Sequence, residues 1–215
     1  MQIAILIFDR LTALDAVGPY EVLSRLPGVE LDFVAAKPGT KTTDTGRLGL
    51  EAQKSIAEVA SPDVVLVPGG EGNRALLGDE PVLGWLRSVH DASRFTTSVC
   101  TGSLVLGAAG ILDGLRATTH WAYLEHLERF GAEPVADRVV EDGKVITAAG
   151  VSSGIDMALH LAAKLAGEDV AKAIQLGIEY DPAPPFDSGS PDKAPAELVE
   201  AIRRQEPGLD APAER

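Results

Sequence analysis

The chain has 215 residues, 45% of them apolar, and 32 acidic against 19 basic side chains give it a formal charge of −13. That length and apolar share suit one α/β domain with a sizeable core, and without a concentrated Lys/Arg stripe neither nucleic acid nor an anionic membrane is an expected partner. The single cysteine excludes an internal disulfide framework and fits a reducing compartment, so the cytoplasm is the expected location.

In chain order, the apolar run Ile3 to Phe8 has no basic flank, is far too short to span a bilayer, and reads as a first strand. Tyr20 to Leu26 reads as helix, Leu31 to Ala36 as strand, and Asp63 to Val67 as strand before Pro68-Gly69-Gly70. Thr43 to Leu50 lacks clear periodicity and is read as a small β excursion. Leu83 to His90 has helical spacing, Phe95 to Val99 is strand, and Thr101 to Ala109 and Trp121 to Phe130 are helical. Arg138-Val139-Val140 turns at Glu141-Asp142-Gly143 into Lys144 to Thr147, a hairpin, before helices over Val151 to Ala166 and Asp169 to Tyr180. Buried-strand runs alternating with helices predict a flavodoxin-like, doubly wound, mostly parallel sheet with helices on both faces. The expected organisation is one domain over 1–206, ending in a helix from Pro195, and a frayed tail over 207–215.

Cys100 stands where the run Phe95 to Val99 breaks into a helix-like stretch. A strand that turns sharply into a helix throws the turn residue up out of the sheet, and Ser98 and Gly102 are small enough to let the turn close. The pattern S-x-C-x-G parallels the hydrolase nucleophile elbow G-x-S-x-G. The N-terminus of the following helix is expected to lower the thiol pKa. The alternative is a buried structural cysteine.

In open α/β sheets ligands bind beyond the carboxyl ends of strands. Three such ends carry chemistry here: the segment around Asp15, the Pro68-Gly69-Gly70 loop, and Cys100-Thr101. Backbone amides of Gly69, Gly70 and Thr101 could form an oxyanion-type nest, the alternative being a plain tight turn. Gly70 to Ala75 also reads G-x-G-x-x-A, but Gly78 and Pro81 break the helix it should open, so no nucleotide cofactor is expected. Asp15 is either a helix N-cap or a general acid and base for the thiol. Glu21 falls within the first helix as a structural or supporting carboxylate. None of His90, His120, His126 and His160 has zinc-ligand spacing, so no metal is expected, and His120 is either a supporting residue or a partner for Cys100.

These motifs, Leu14-Asp15-Ala16-Val17-Gly18-Pro19, Val67-Pro68-Gly69-Gly70, Ser98-Val99-Cys100-Thr101-Gly102-Ser103, Thr119-His120-Trp121 and Thr147 to Asp156, resemble the ThiJ/PfpI superfamily, related in fold to class I glutamine amidotransferases. The resemblance covers nearly the whole chain. Asp15, Cys100-Thr101 and the segment Glu179 to Phe186 most resemble isocyanide hydratases. Members resembling intracellular peptidases or cofactor-free glyoxalases carry a histidine directly after the cysteine, where this chain has Thr101. Regulators of the AraC type append a helix-turn-helix region for which no room remains after Glu206.

The resemblance implies a homodimeric, cofactor-independent enzyme acting on a small molecule, hydrating an isocyanide to an N-substituted formamide through a thioimidate on Cys100. Asp15 would move the protons, and Thr101 would hydrogen-bond Asp15 or the substrate. Glyoxalase-type carbonyl chemistry at Cys100 and a non-catalytic cysteine redox sensor remain as alternatives.

Overall fold

Strands and helices alternate along most of the chain in a computed structural model that describes residues 1–205, so the expected tail over 207–215 lies outside the described residues. The first half contains β1 (Gln2–Leu6), α1 (Ala13–Leu23), β2 (Glu30–Ala35), β3 (Gly39–Thr42), β4 (Gly49–Ala52), β5 (Lys54–Ser55), β6 (Val64–Val67), α2 (Asn73–Leu76), α3 (Glu80–Ala92) and β7 (Phe95–Val99). The second contains α4 (Gly102–Ala108), β8 (Arg116–Ala117), β9 (Glu133–Pro134), β10 (Val139–Asp142), β11 (Val145–Ala148), α5 (Ser153–Ala166), α6 (Glu168–Gly177) and α7 (Ala196–Gln205).

Seven strands form one sheet in the order β10-β11-β7-β6-β1-β2-β5, parallel throughout except for the β10–β11 hairpin at one edge. Every residue of β6 and β11 is buried, as a sheet covered on both faces requires. On one side α1 packs on α5 and α5 on α6; α4 packs on α2 and α3. Going from β1 the chain moves to β2 on one flank and later returns to β6 on the other. The crevice beyond the carboxyl ends of β1 and β6 is therefore a topological switch point.

Three expectations shift. The first helix starts at Ala13, seven residues before the expected Tyr20, and carries Pro19 inside it. Lacking an N–H, Pro19 withholds the bond that the Asp15 carbonyl would receive, and the neighbouring turns hold the helix together. Thr43 to Leu48 is the turn of the β3–β4 hairpin, whose strands lie to either side. Trp121–Phe130 is helical over the expected residues but winds as 3₁₀ turns.

Candidate active site

Cys100 occupies the step from β7 to α4 with φ 56°, a left-handed conformation that a non-glycine residue adopts only when its surroundings enforce it. The enforcement is visible. The Cys100 amide donates to the carbonyls of Ala148 (3.0 Å) and Ala149 (3.1 Å), and its carbonyl accepts from Thr119 Oγ1 (2.9 Å) and Ser103 Oγ (3.2 Å). Gly102 passes so close to the end of β6 that a Cβ there would lie 2.1 Å from the Val67 carbonyl oxygen. The sharp strand-to-helix turn expected of the sequence is thus present, with the thiol 94% shielded at the base of a cavity of about 210 Å³.

Asp15 lies in the first turn of α1 and is fully buried. The cap position belongs to Thr12, whose side chain instead reaches Asp44 at 2.8 Å. One carboxyl oxygen of Asp15, Oδ2, accepts the Gly69 amide at 2.9 Å. The carboxyl and the Cys100 thiol interact directly, yet Oδ1 meets no well-aligned donor. Burial pushes Asp15 up to about 7; the Gly69 amide and the thiol oppose the rise, and the nearby Asp44 charge adds to it. An acid that keeps its proton near neutrality and interacts with the thiol is a proton donor in position.

Burial also pushes the Cys100 thiol well above its ordinary range, with the Asp15 charge as the next contribution and the Thr101 and Val151 amides pulling down. The lowering expected of the following helix is thus outweighed by the loss of water around the sulfur. The two acids form one coupled pair: charge is best placed on sulfur when Asp15 is neutral, and on Asp15 when the thiol holds its proton.

The other expected residues divide. Thr101 Oγ1 accepts from the Gly70 amide (3.1 Å) and from Asn73 Nδ2 (2.8 Å). The nest expected of Gly69 and Gly70 is not formed toward a substrate, since both amides are spent on Asp15 and Thr101; the amides that face the sulfur are those of Thr101 and Val151. His120 is part of the cavity wall, with Nδ1 turned back to the Ala122 amide at 3.4 Å and its ring between Trp121 and Tyr123. Glu21 is not part of the site: it is exposed on α1 and pairs with Arg25 one turn on, at 2.8 Å.

Val151 and Asn73 escape sequence reasoning. Val151 has φ 22°, just ahead of α5, and only that bend explains why its amide turns to the sulfur. Asn73 opens the one-turn helix α2 and is buried against Thr101. Leu77, Leu104 and Tyr123 give the cavity its apolar wall. Among the described residues no cluster of His, Cys, Asp and Glu could hold a metal ion, and no helix is long and apolar enough to cross a membrane.

Comparison with known proteins agrees with this architecture. Residues 1–164 match the DJ-1/PfpI family. The chain is 50% identical over 210 residues to the isonitrile hydratase of Pseudomonas putida, covering 97% of this chain and 92% of that protein. It is 30% identical over 172 residues to the protein dj-1beta of Drosophila melanogaster, covering 71% of this chain and 92% of that one. The crystal structure of a ThiJ/PfpI family protein from Pseudomonas syringae superposes with a TM-score of 0.92 at 38% identity, covering 95% of this chain and 85% of that chain. With its doubly wound sheet and its cysteine at the end of β7, the chain belongs to the DJ-1/PfpI family.

Proposed function

We propose that this protein hydrates isocyanides to N-substituted formamides, using Cys100 as nucleophile and Asp15 as acid and base. The observation that carries the reading is the pairing of a fully buried carboxyl with a buried thiol that lines a small cavity, both packed against Gly69. The terminal carbon of R–N≡C must receive both the nucleophile and a proton. A thiolate and an acid that face one another deliver both to a single atom, whereas addition to a carbonyl needs its proton on the adjacent oxygen. The likeness to a protein named isonitrile hydratase supports the same reading.

The chemistry balances with these groups alone. Sulfur bonds to the isocyanide carbon while Asp15 protonates it, giving the thioimidate R–N=CH–S and a carboxylate. Water then adds to that carbon, one of its protons passing by way of Asp15 to nitrogen. Asp15 takes the remaining hydroxyl proton as the C–S bond breaks, releasing R–NH–CHO, the thiolate and a neutral acid. The Thr101 and Val151 amides stabilise charge on sulfur at the start and at the end. The working unit we propose is a homodimer of single-domain subunits in the cytoplasm, with a small isocyanide as its partner and no cofactor.

The test is to mix the purified protein with an alkyl or aryl isocyanide and follow formamide by absorbance, with Cys100→Ala and methylglyoxal as parallel arms. Cys100-dependent formamide is the expected result. Consumption of methylglyoxal without formamide would transfer the site to glyoxalase chemistry, and turnover of neither would overturn an enzymatic reading.

A further inference from the structure

Thr101 has a hydroxyl proton still to give, Asn73 has a buried amide oxygen without a donor, and both residues line the cavity. A hydroxyl has two acceptor positions and one proton. Both acceptor positions of Thr101 Oγ1 are filled, by the Gly70 amide and by Asn73 Nδ2, so its O–H must be given to something else. Asn73 is 4% exposed and lines the cavity, and its Oδ1 is buried with no hydrogen-bond partner among the described residues. A buried amide oxygen without a donor is unfavourable unless an occupant of the cavity supplies one.

We propose that Asn73 and Thr101 seat the water consumed in hydration, an inference that rests on the hydratase reading and assigns Asn73 a part in it. One water satisfies both groups: it accepts from the Thr101 hydroxyl and donates to Asn73 Oδ1. Its second O–H is left for Asp15 and its second lone pair for the thioimidate carbon. Asp15 is held close by the same loop, because the consecutive amides of Gly69 and Gly70 bind Asp15 and Thr101 respectively. In the step served, an O–C bond forms, the C=N π pair moves to nitrogen, and the released proton goes to the Asp15 carboxylate and on to that nitrogen. Asn73 takes no part in forming the thioimidate, so the two halves of the reaction respond to it differently.

The experiment is rapid mixing with an isocyanide, acid quench and intact-protein mass spectrometry on wild type, Asn73→Leu, Thr101→Val and the double variant. In Asn73→Leu the Cys100 adduct forms at the wild-type rate and breaks down about 10²-fold more slowly, the order seen when one pre-organised partner is removed. Thr101→Val accumulates the same adduct, and the double variant is no slower than the slower single one, since both residues hold one water. Adduct breakdown at the wild-type rate in Asn73→Leu, or equal slowing of both steps, overturns the inference. Should Asn73→Leu not fold, the near-isosteric Thr101→Val decides: failure to accumulate adduct overturns the proposal. Failure of the hydratase reading is distinguishable, because wild type itself would then give neither adduct nor formamide.

Discussion

Gly69 is wedged against Asp15: its amide donates to Asp15 Oδ2 at 2.9 Å, and a Cβ on it would stand 2.7 Å from that same oxygen and 2.8 Å from the Cys100 Cβ. The loop after β6 thus sets the spacing of the two reacting groups. Gly69→Ala is expected to cut kcat/KM about 10²-fold, the penalty for a small misplacement of reacting groups, while the protein still folds. Steady-state kinetics beside a thermal melt check this, and near-normal turnover in a folded variant would refute it.

Asp15 holds its proton up to about 7, against an ordinary 3.8. Between those values the folded protein keeps a proton that the unfolded chain has released, so Asp15 makes stability fall as pH rises through that window, with the full cost present above it. Asp15→Asn cannot ionise. Between about pH 4 and about pH 7 wild type should therefore lose melting temperature relative to Asp15→Asn, and parallel curves would count against the buried acid. Wild-type kcat/KM for the isocyanide should rise as pH passes about 7, because the reactive form, thiolate beside neutral acid, is the one-proton state of the pair and below that pH both groups hold their protons; a fall through the same range would refute the assignment.

The same substitution reads the coupling from the other side. Removing the Asp15 charge takes away the second-largest of the influences that raise the thiol, burial being the largest. Cys100 in Asp15→Asn should ionise at lower pH than in wild type, measured by thiolate absorbance or by the pH dependence of iodoacetamide alkylation. An unchanged or higher midpoint would mean that the two groups do not communicate.

At the elbow itself Gly102→Ala places a methyl 2.1 Å from the Val67 carbonyl and 2.8 Å from the Pro68 carbonyl. Val67 closes β6, and its carbonyl cannot retreat without disturbing the β6–β7 pairing. A loss of about 1–3 kcal/mol is expected by denaturant titration, in the range for forcing volume into a packed core. Wild-type stability would show the turn to be less tightly closed than described.

Much of this site can be read from the chain. Phe95 to Val99 is rich in β-branched residues and is followed by small ones, so the strand and its turn into α4 are legible, and Cys100 with them. The start of α1 is not: Gly18 and Pro19 look like helix breakers, and Thr12 makes no side-chain cap bond that would mark the true beginning. Glycines at 69 and 70 announce a tight loop, but the direction of an N–H depends on backbone angles that composition does not carry. Hence the glycine nest was expected while the Val151 amide, aimed by a φ of 22°, was not. Asn73 gives no signal beyond its place three residues after Gly70, because its meaning lies in which atoms of Thr101 are already taken.

The close passage of backbone around Cys100 divides the site into two kinds of material. Gly69 and Gly102 each leave less than 3 Å for an added methyl, whereas Leu77, Leu104 and Tyr123 line the cavity with side chains. Anyone wishing to retune what the pocket admits has a fixed chassis and an interchangeable upholstery: trimming Leu77 or Tyr123 enlarges the room offered to a bulkier R group and leaves the reactive core seated as before.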